Sequence, residues 1–340
     1  MRIIFRVDAG PHVGLGHLQR CLSLAMAVRE RGVVCVFLVS PADMAQAKVA
    51  SCGFEVHALT DVNGDGRRDL EETLAAAERH ACDIIVVDSY SVDDTYLKTL
   101  RSSGFCVVAI DDLGRHPFSC QWVINGGVHA HQLNLYSSSG DTTFLLGPQY
   151  ALLRPEFWSI PSRSASGAVR KILFTLGGSD FSGLMPSLLR CLDKIPGDFT
   201  VTAIVGPFFL NVEEIKRVAS VCQRRIHLVE SPASLLPFML EADLAVSAGG
   251  QTLYELAAAG VPTVAIEVAE NQGLQMKVFE AEGFLHSAGI GQSVESGLAA
   301  AYMVDSLQHD QELRWRMSRA GQRLVDGKGS LRVAEAIVNR

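Results

Sequence analysis

The sequence has no long uninterrupted apolar run, no Cys-x-x-Cys pair and no excess of positive charge. A membrane helix needs roughly 18–20 consecutive apolar residues, so we expect no membrane partner. The first residues lack the charged and apolar regions of a signal peptide, and the scattered cysteines are typical of reduced thiols. The formal net charge of −7 argues against nucleic-acid binding, which needs clustered Lys and Arg. These absences predict a cytoplasmic protein and leave a small molecule as its expected partner.

The 340 residues, 48% of them hydrophobic, provide enough apolar material for two cores. Short β-branched runs alternate with helical patterns, which is typical of parallel α/β sheets. A polar stretch of small residues interrupts this alternation, which then begins again. We therefore predict two doubly wound Rossmann-like domains, residues 1–157 and 171–340, joined by a linker at 158–170. Their strand ends and Gly-rich loops are expected to face one cleft, where ligands bind in open α/β sheets.

A Gly-rich loop follows the first predicted strand and begins after Asp8. Gly14 and Gly16 allow the backbone to approach a ligand closely, and the helix that starts near His17 offers free N–H groups. The loop therefore predicts an anion site, although a tight turn without a ligand explains this motif equally well when it is taken alone. It is not a dinucleotide fingerprint, because the third glycine and the acidic residue after the second strand are absent.

His17 lies in the first turn of the predicted helix. The positive end of the helix disfavours a charged imidazolium, so the ring is expected to be neutral near pH 7. A neutral imidazole can act as a general base that deprotonates water. The alternative is a histidine that only hydrogen-bonds the backbone at the helix start. The neighbouring glycines favour the catalytic interpretation.

A second Gly-rich loop, with Gly249 and Gly250, connects a predicted strand that ends at Ser247 to a helix. Backbone N–H groups at such a helix start can hold a diphosphate. Glu255 lies one helical turn after Gln251, where its carboxylate can accept hydrogen bonds from both hydroxyls of a ribose. The alternative for Glu255 is a solvated helix residue. The loop predicts a nucleotide site.

Other polar residues follow predicted strands at their carboxyl ends. The amides of Asn271 and Gln272 suit sugar hydroxyls or a base edge, although such a pair is also common in turns. Asp88 and Asp111-Asp112 are expected to orient His17 or to bind sugar hydroxyls. These acidic residues lack partner carboxylates at a metal-binding spacing, and the pair His129-x-His131 is more typical of a loop. We expect neither a metal nor another cofactor.

These motifs together resemble a known family, the nucleotide-sugar hydrolases of the pseudaminic acid pathway and the related spore-coat polysaccharide proteins. The resemblance covers nearly the whole chain, and the ordered set of motifs is specific although each motif alone is not. The motifs are Arg6-x-Asp8, Gly14-x-Gly16-His17, Asp88-x-Tyr90, residues 110–113, 146–157, 177–180, 247–250 and 254–256, Asn271-Gln272, and residues 326–329.

The resemblance implies a fold of the glycosyltransferase-B type and a role in polysaccharide or flagellin glycosylation. It implies hydrolysis of UDP-2,4-diacetamido-2,4,6-trideoxy-β-L-altropyranose to UDP and the free sugar, with inversion, without metal and with His17 as the base. The residues expected to bind the sugar are Asp8, Gly14, Gly16, Tyr90, Asn125, Arg154, Asn271 and Gln272. The residues expected to bind the nucleotide are Gly177, Gly178, Ser247, Gly249, Gly250, Gln251, Thr252 and Glu255.

Alternatives to this reaction remain open at the level of the sequence. Family members often carry Asp-Gln-Asn where this chain has Ile124-Asn125-Gly126-Gly127, which leaves the sugar open and admits a CMP- or GDP-linked donor. A glycosyltransferase would use His17 to deprotonate an acceptor hydroxyl, but no apolar stretch suited to a lipid acceptor lies near the first loop. A non-catalytic sugar-nucleotide-binding protein would not need the base. The oligomeric state is also open, a monomer being the simplest expectation.

Overall fold

The computed structural model describes residues 1–9, 15–60, 66–114, 117–133, 140–163, 167–180, 182–291 and 294–339. The chain divides into two compact units. Unit 1 comprises Met1–Ser159 and Gly327–Arg340, and unit 2 comprises Ile160–Asp326. Gly14 of the predicted first loop lies outside the described residues. None of the helices in the described ranges is long and apolar enough to span a membrane.

Unit 1 is built on a seven-stranded parallel sheet with strand order β3-β2-β1-β4-β5-β6-β7. The strands are β1 (Arg2–Val7), β2 (Val34–Val39), β3 (Glu55–Ala58), β4 (Ile84–Asp88), β5 (Cys106–Ile110), β6 (Trp122–Asn125) and β7 (Thr143–Leu146). The helices between them are α1 (Gly16–Arg29), α2 (Asp43–Ser51), α3 (Arg67–Arg79) and α4 (Asp94–Ser102).

Side chains alternate between the two faces of this sheet, so each face has its own core. Ile3 and Phe5 of β1 flank Ile4, and they pack in the core that contains α1, whereas Ile4 packs in the core that contains α3 and α4. Both faces are therefore covered, which explains why the central strands read as continuous apolar runs.

Unit 2 has a six-stranded parallel sheet with strand order β10-β9-β8-β11-β12-β13. Its strands are β8 (Lys171–Thr175), β9 (Thr200–Val205), β10 (Ile226–Glu230), β11 (Leu244–Ala248), β12 (Thr263–Glu267) and β13 (Leu285–Ile290). Its helices are α5 (Leu184–Asp193), α6 (Val212–Val221), α7 (Leu236–Glu241), α8 (Thr252–Ala258), α9 (Gly273–Ala281), α10 (Val294–His309) and α11 (Gln311–Leu324). The prediction of two doubly wound α/β halves is confirmed.

The final helix, α12 (Gly329–Val338), packs with unit 1 rather than with unit 2. Val333, Ala334 and Ile337 are fully buried in the core that contains α1, and Ser330 Oγ donates to the Leu153 carbonyl at 2.9 Å. The second unit therefore ends before the expected residue 340, because the apolar face of α12 completes the core of unit 1.

A glycine is required where α12 begins. A Cβ atom on Gly329 would lie 2.2 Å from the Ala151 carbonyl oxygen, so no larger residue fits without displacing backbone. The expected linker is also shorter than residues 158–170. Trp158 is buried in unit 1, where its Nε1 donates to the Leu153 carbonyl at 2.9 Å, and Arg163 donates to the Met239 carbonyl of unit 2 at 3.1 Å.

Candidate active site

The imidazole of His17 lies against a buried carboxylate at the carboxyl ends of β1 and β4. His17 is in the first turn of α1, which has no acidic residue in that turn and no side-chain cap from the described residues. Its Nδ1 is 3.0 Å from Oδ1 of Asp88, the last residue of β4. The contact is close, although its direction is not that of a well-aligned hydrogen bond. With Nδ1 turned toward the carboxylate, Nε2 is the ring nitrogen left to accept a proton.

Arg20 holds Asp88 in the ionised state. Its Nε and Nη2 donate to the two Asp88 oxygens, each at 2.6 Å, and its Nη1 donates to Oδ2 of Asp112 at 2.9 Å. Burial acts to raise the pKa of Asp88, but the charge of Arg20 and its hydrogen bonds outweigh burial and hold that pKa well below its usual range. The carboxylate next to His17 is therefore negative at any physiological pH.

Tyr90 joins the same group from the loop after β4. Its ring meets the His17 ring edge to face, with 4.4 Å between centroids, and its hydroxyl donates to Oδ2 of Asp112 at 3.0 Å. Burial and the nearby Asp112 carboxylate raise the pKa of Tyr90, so the hydroxyl stays protonated. Tyr90 was expected to bind the sugar, and the structure places it in contact with His17.

Asp8 is occupied by partners within unit 1. Its Oδ1 accepts from the buried Arg6 guanidinium, and its Oδ2 accepts from Ser89 Oγ at 2.6 Å. Arg6 also pairs with Asp69, which in turn accepts from the Tyr96 hydroxyl at 2.7 Å. The expectation that Asp8 binds the sugar stays a prediction. Oδ2 ties the end of β1 to the loop that carries Tyr90, whereas Oδ1 is paired with Arg6 of β1.

His129 is a polar residue near this group that sequence reasoning set aside as a loop histidine. It is 8% exposed, and its side chain hydrogen-bonds the backbone of Asp112, while its Nδ1 has no partner among the residues that the structure describes. Burial lowers its pKa against the opposing influence of that hydrogen bond and of the Asp112 charge, which favours the neutral ring. The only signal in the sequence was its position four residues after the end of β6.

Two other residues expected to bind the sugar have local partners. Asn125, the last residue of β6, is buried, and its Oδ1 accepts from the Gly127 N–H at 2.7 Å, which shapes the turn that follows the strand. Arg154 lies in the segment against which α12 packs, with its Nη2 3.1 Å from Oε1 of Glu156. Gly16 is exposed at the start of α1, and a Cβ atom there would meet none of the described residues within 4 Å.

The two Gly-rich loops of unit 2 follow β8 and β11, the neighbouring strands at which the strand order reverses. This is where ligands bind in open α/β sheets. In the first loop, Gly177 has φ +83°, a conformation that favours glycine. Asp180 then accepts hydrogen bonds from the N–H groups of Leu184 and Met185 at 2.8 and 2.9 Å. The start of α5 is thus already capped by the protein.

The second loop contrasts with the first because α8 has no side-chain cap. Gly249 packs closely on α9, since a Cβ atom there would lie 2.3 Å from the sulfur of Met276. A Cβ atom on Gly250 would meet only Nε2 of Gln272, at 3.6 Å. Gly250 is therefore a glycine that the packing of unit 2 does not demand.

The polar residues around this second loop differ in exposure. Glu255 is 8% exposed, so the alternative of a fully solvated helix residue is wrong. Gln272 lies beside Gly250 and accepts from the Val268 N–H at 3.0 Å, whereas Asn271 is exposed.

At the end of β11, Ser247 is fully buried and donates to the Ala248 carbonyl. Gln251 is exposed and Thr252, at the first position of α8, is partly exposed.

Solved structures establish the class of fold. MurG of Acinetobacter baumannii matches with a TM-score of 0.74 and 15% identity, covering 100% of both chains. The S. aureus MnaA–UDP complex matches with a TM-score of 0.65 and 12% identity, over 99% of this chain and 95% of that one. The protein is therefore an α/β protein of the glycosyltransferase-B type, as predicted.

The proteins related in sequence have names that are more specific than a class of fold. No family model matches the chain. An uncharacterized protein of Methanocaldococcus jannaschii is 25% identical over 100% of this chain and 66% of its own length. The spore coat polysaccharide biosynthesis protein SpsG of Bacillus subtilis is 23% identical over 98% of this chain and 96% of its own.

A third relative carries two activities in its name. The pseudaminic acid cytidylyltransferase and UDP-2,4-diacetamido-2,4,6-trideoxy-beta-L-altropyranose hydrolase of Helicobacter pylori is 24% identical over 82% of this chain and 46% of its own length. The chain thus spans just under two thirds of the M. jannaschii protein and just under half of the H. pylori protein. The resemblance to proteins of these names, inferred from the motifs, is confirmed at modest identity.

Proposed function

We propose that the protein hydrolyses a UDP-linked 2,4-diacetamido-2,4,6-trideoxyhexose to UDP and the free sugar. The observation that carries the proposal is the pairing of the His17 imidazole with a buried carboxylate that stays ionised. A carboxylate beside Nδ1 orients the ring and stabilises the imidazolium that forms when Nε2 accepts a proton. The names of the H. pylori and Campylobacter jejuni relatives, the latter 21% identical, support this substrate class.

In the proposed reaction, a water oxygen attacks the anomeric carbon on the face opposite the leaving diphosphate. His17 Nε2 takes one water proton as the new C–O bond forms. The bond between the anomeric carbon and the β-phosphate oxygen breaks, and its electron pair leaves with UDP, so the configuration inverts. Neither redox chemistry nor a metal is needed for this balance. General-base assistance of this kind contributes typically ~10²–10⁴-fold to the rate.

Unit 2 supplies the nucleotide site in this proposal. The loop with Gly249 and Gly250 and the uncapped start of α8 offer backbone donors to the diphosphate, and the Glu255 carboxylate accepts the ribose hydroxyls. The MnaA likeness shares only the fold, but that protein was solved with UDP. The loop with Gly177 and Gly178 is assigned a smaller part, because Asp180 already occupies the start of α5.

The alternative function is that of a glycosyltransferase, and the likeness in fold to MurG is compatible with it. In that reaction His17 would deprotonate an acceptor hydroxyl, and UDP would be released only when an acceptor is present. If water is the nucleophile, UDP is released from the sugar nucleotide without any acceptor.

The test is to incubate the purified protein with UDP-2,4-diacetamido-2,4,6-trideoxyhexoses, with UDP-N-acetylglucosamine and with CMP- and GDP-linked sugars. Free nucleotide is measured with and without candidate acceptors, and the anomer first formed is identified by proton NMR. We expect acceptor-independent UDP release with inversion, lost in His17→Asn but not in His309→Asn, a change at an exposed histidine of α10. Nucleotide release that requires an acceptor, or full activity of His17→Asn, would overturn the proposal.

A further inference from the structure

Three donor groups of the kind that transition metals prefer meet at an edge of the unit 1 sheet. Glu55 and His57 are two residues apart on β3, so their side chains share one face of the strand. His80 follows the last residue of α3. One ligand atom from each of the three lies within 4.8 Å of the other two. Segments far apart in sequence thus bring two imidazoles and one carboxylate together.

The spacing of these atoms is close to that of a metal site. Nε2 of His57 is 3.0 Å from Oε1 of Glu55, and Nδ1 of His80 is 3.8 Å from the same oxygen. Ligand atoms about 2.0–2.2 Å from a tetrahedral zinc ion are separated by little more than 3 Å. The two imidazole rings, with centroids 5.0 Å apart, therefore need only a small adjustment to coordinate one ion.

The surroundings permit a fourth ligand from solvent. The Glu55 side chain is 54% exposed, whereas that of His80 is 13% exposed and its Nε2 is buried without a hydrogen-bond partner in the described part of the chain. The nearby cation, Arg2, directs its Nη1 at the His80 carbonyl at 3.2 Å and its backbone N–H at Asp83.

The location separates this cluster from the proposed catalytic group. Glu55 and His57 are on β3, the edge strand of the sheet, and both β2 and β1 lie between it and β4, which ends at Asp88. His17 and Asp88 lie at the carboxyl ends. A metal in the cluster cannot act on the same reacting atoms as His17.

We propose that Glu55, His57 and His80 bind one divalent cation of the zinc class, which cross-links strand β3 to the end of helix α3. Imidazole nitrogen and a single carboxylate select zinc, cobalt or nickel over magnesium and calcium, which prefer sets of oxygen ligands. The role is structural, because the ion joins an edge strand of four residues to the loop before β4.

The test uses the untagged full-length chain freed of metal by chelation. Cobalt(II) is titrated and followed by its visible absorption, which reports four-coordinate nitrogen and oxygen ligation, and zinc is then added to displace it. Isothermal titration with zinc and with magnesium gives the stoichiometry and selectivity. Thermal unfolding with and without zinc gives the effect on stability, which must grow with zinc concentration if the folded chain binds the ion.

The variants are His57→Ala, His80→Ala and the nearly isosteric Glu55→Gln, each compared by circular dichroism to establish folding. The matched control is His309→Ala, which removes an exposed histidine whose Nε2 is 3.8 Å from a single carboxylate, Asp305. We expect one cobalt ion per chain, at least ~10-fold weaker binding in each cluster variant and unchanged binding in the control. Equal binding by the wild type and the His57→Ala/His80→Ala double variant, or no binding by the wild type, would refute the site.

Discussion

Nδ1 of His17 lies 3.0 Å from Oδ1 of Asp88, and the Asp88 side chain has no exposure to solvent. Two segments that are 71 residues apart in sequence, the start of α1 and the end of β4, are needed to make this pair. The pair gives the histidine a fixed orientation and a permanent negative neighbour. This pair is the observation on which the proposed role of His17 as a base rests.

The replacement Asp88→Asn tests whether the carboxylate acts through His17. The amide keeps the shape but removes the charge that would stabilise the imidazolium, so we expect kcat to fall ~10²–10⁴-fold with little change in UDP affinity. Arg20 loses its bidentate partner, so the free energy of unfolding should also fall, by about 3–5 kcal/mol. Steady-state kinetics and denaturant unfolding measure the two effects.

Asp112→Asn is the comparison for this variant, because Asp112 also contacts Arg20 but not the His17 ring. Its effect on kcat should be smaller. A loss of the same size in both variants would show that the whole charged group, rather than the Asp88–His17 pair, governs the reaction.

The replacement Gly16→Ala tests whether a ligand approaches the start of α1. A methyl group there meets no atom of the described residues within 4 Å, and alanine favours a helix over glycine by up to about 1 kcal/mol, so the folded state should be as stable or more stable. We expect KM for the sugar nucleotide to rise severalfold because the methyl group occupies ligand space. Gly167→Ala, also without a protein neighbour, is the control in unit 2. Unchanged kinetics in Gly16→Ala would remove this glycine from the site.

The replacement Gly250→Ala makes the corresponding test of the nucleotide site. Its Cβ would meet only Gln272, at an ordinary contact distance of 3.6 Å, so the melting temperature should change little. UDP affinity measured by calorimetry should fall at least ~10-fold if backbone groups of the loop hold the diphosphate. Gly249→Ala should instead destabilise unit 2 directly, because the added atom would overlap with Met276. Wild-type UDP affinity in Gly250→Ala would contradict the assignment.

The replacement His129→Gln tests the buried neutral imidazole through pH. Burial lowers the pKa of His129 in the folded state, so the unfolded state binds more protons as the pH falls through about 6.5. The contribution of the neutral ring is present above that pH and is lost below it. We expect the wild type to lose more denaturant resistance between pH 7.5 and 5.5 than His129→Gln does. His227→Gln, a change at an exposed histidine, should keep the wild-type pH dependence.

The sequence predicts the central part of the fold well. The inner strands are buried on both faces, so runs such as Ile84–Asp88 are apolar and easily recognised. The edge strands β7 and β13 are harder to recognise, because both are partly exposed and β13 also mixes polar and apolar residues. The His17 loop and the Gly249-Gly250 loop were predicted from glycines and helix starts, which are local signals.

The partners of polar side chains could not be predicted, because they come from other parts of the chain. Asp8 and Asp180 are of a residue type that is common in binding sites. In the structure, Asp8 pairs with Arg6, and Asp180 caps α5. His129 was set aside because nothing in its neighbours along the chain indicates that it meets Asp112. The role of each acidic residue depends on which cation or N–H group the fold brings to it. The spacing of residues along the sequence does not reveal that partner.

The packing of α12 on α1 has a consequence for synthesis on the ribosome. The core of unit 1 includes Val333, Ala334 and Ile337, which are translated only after all of unit 2. The nascent chain must therefore carry an incomplete first core, with the place of one helix open, while the second core forms. Unit 2 can mature as soon as its own residues emerge, and the first-made half of the protein is the last to be finished.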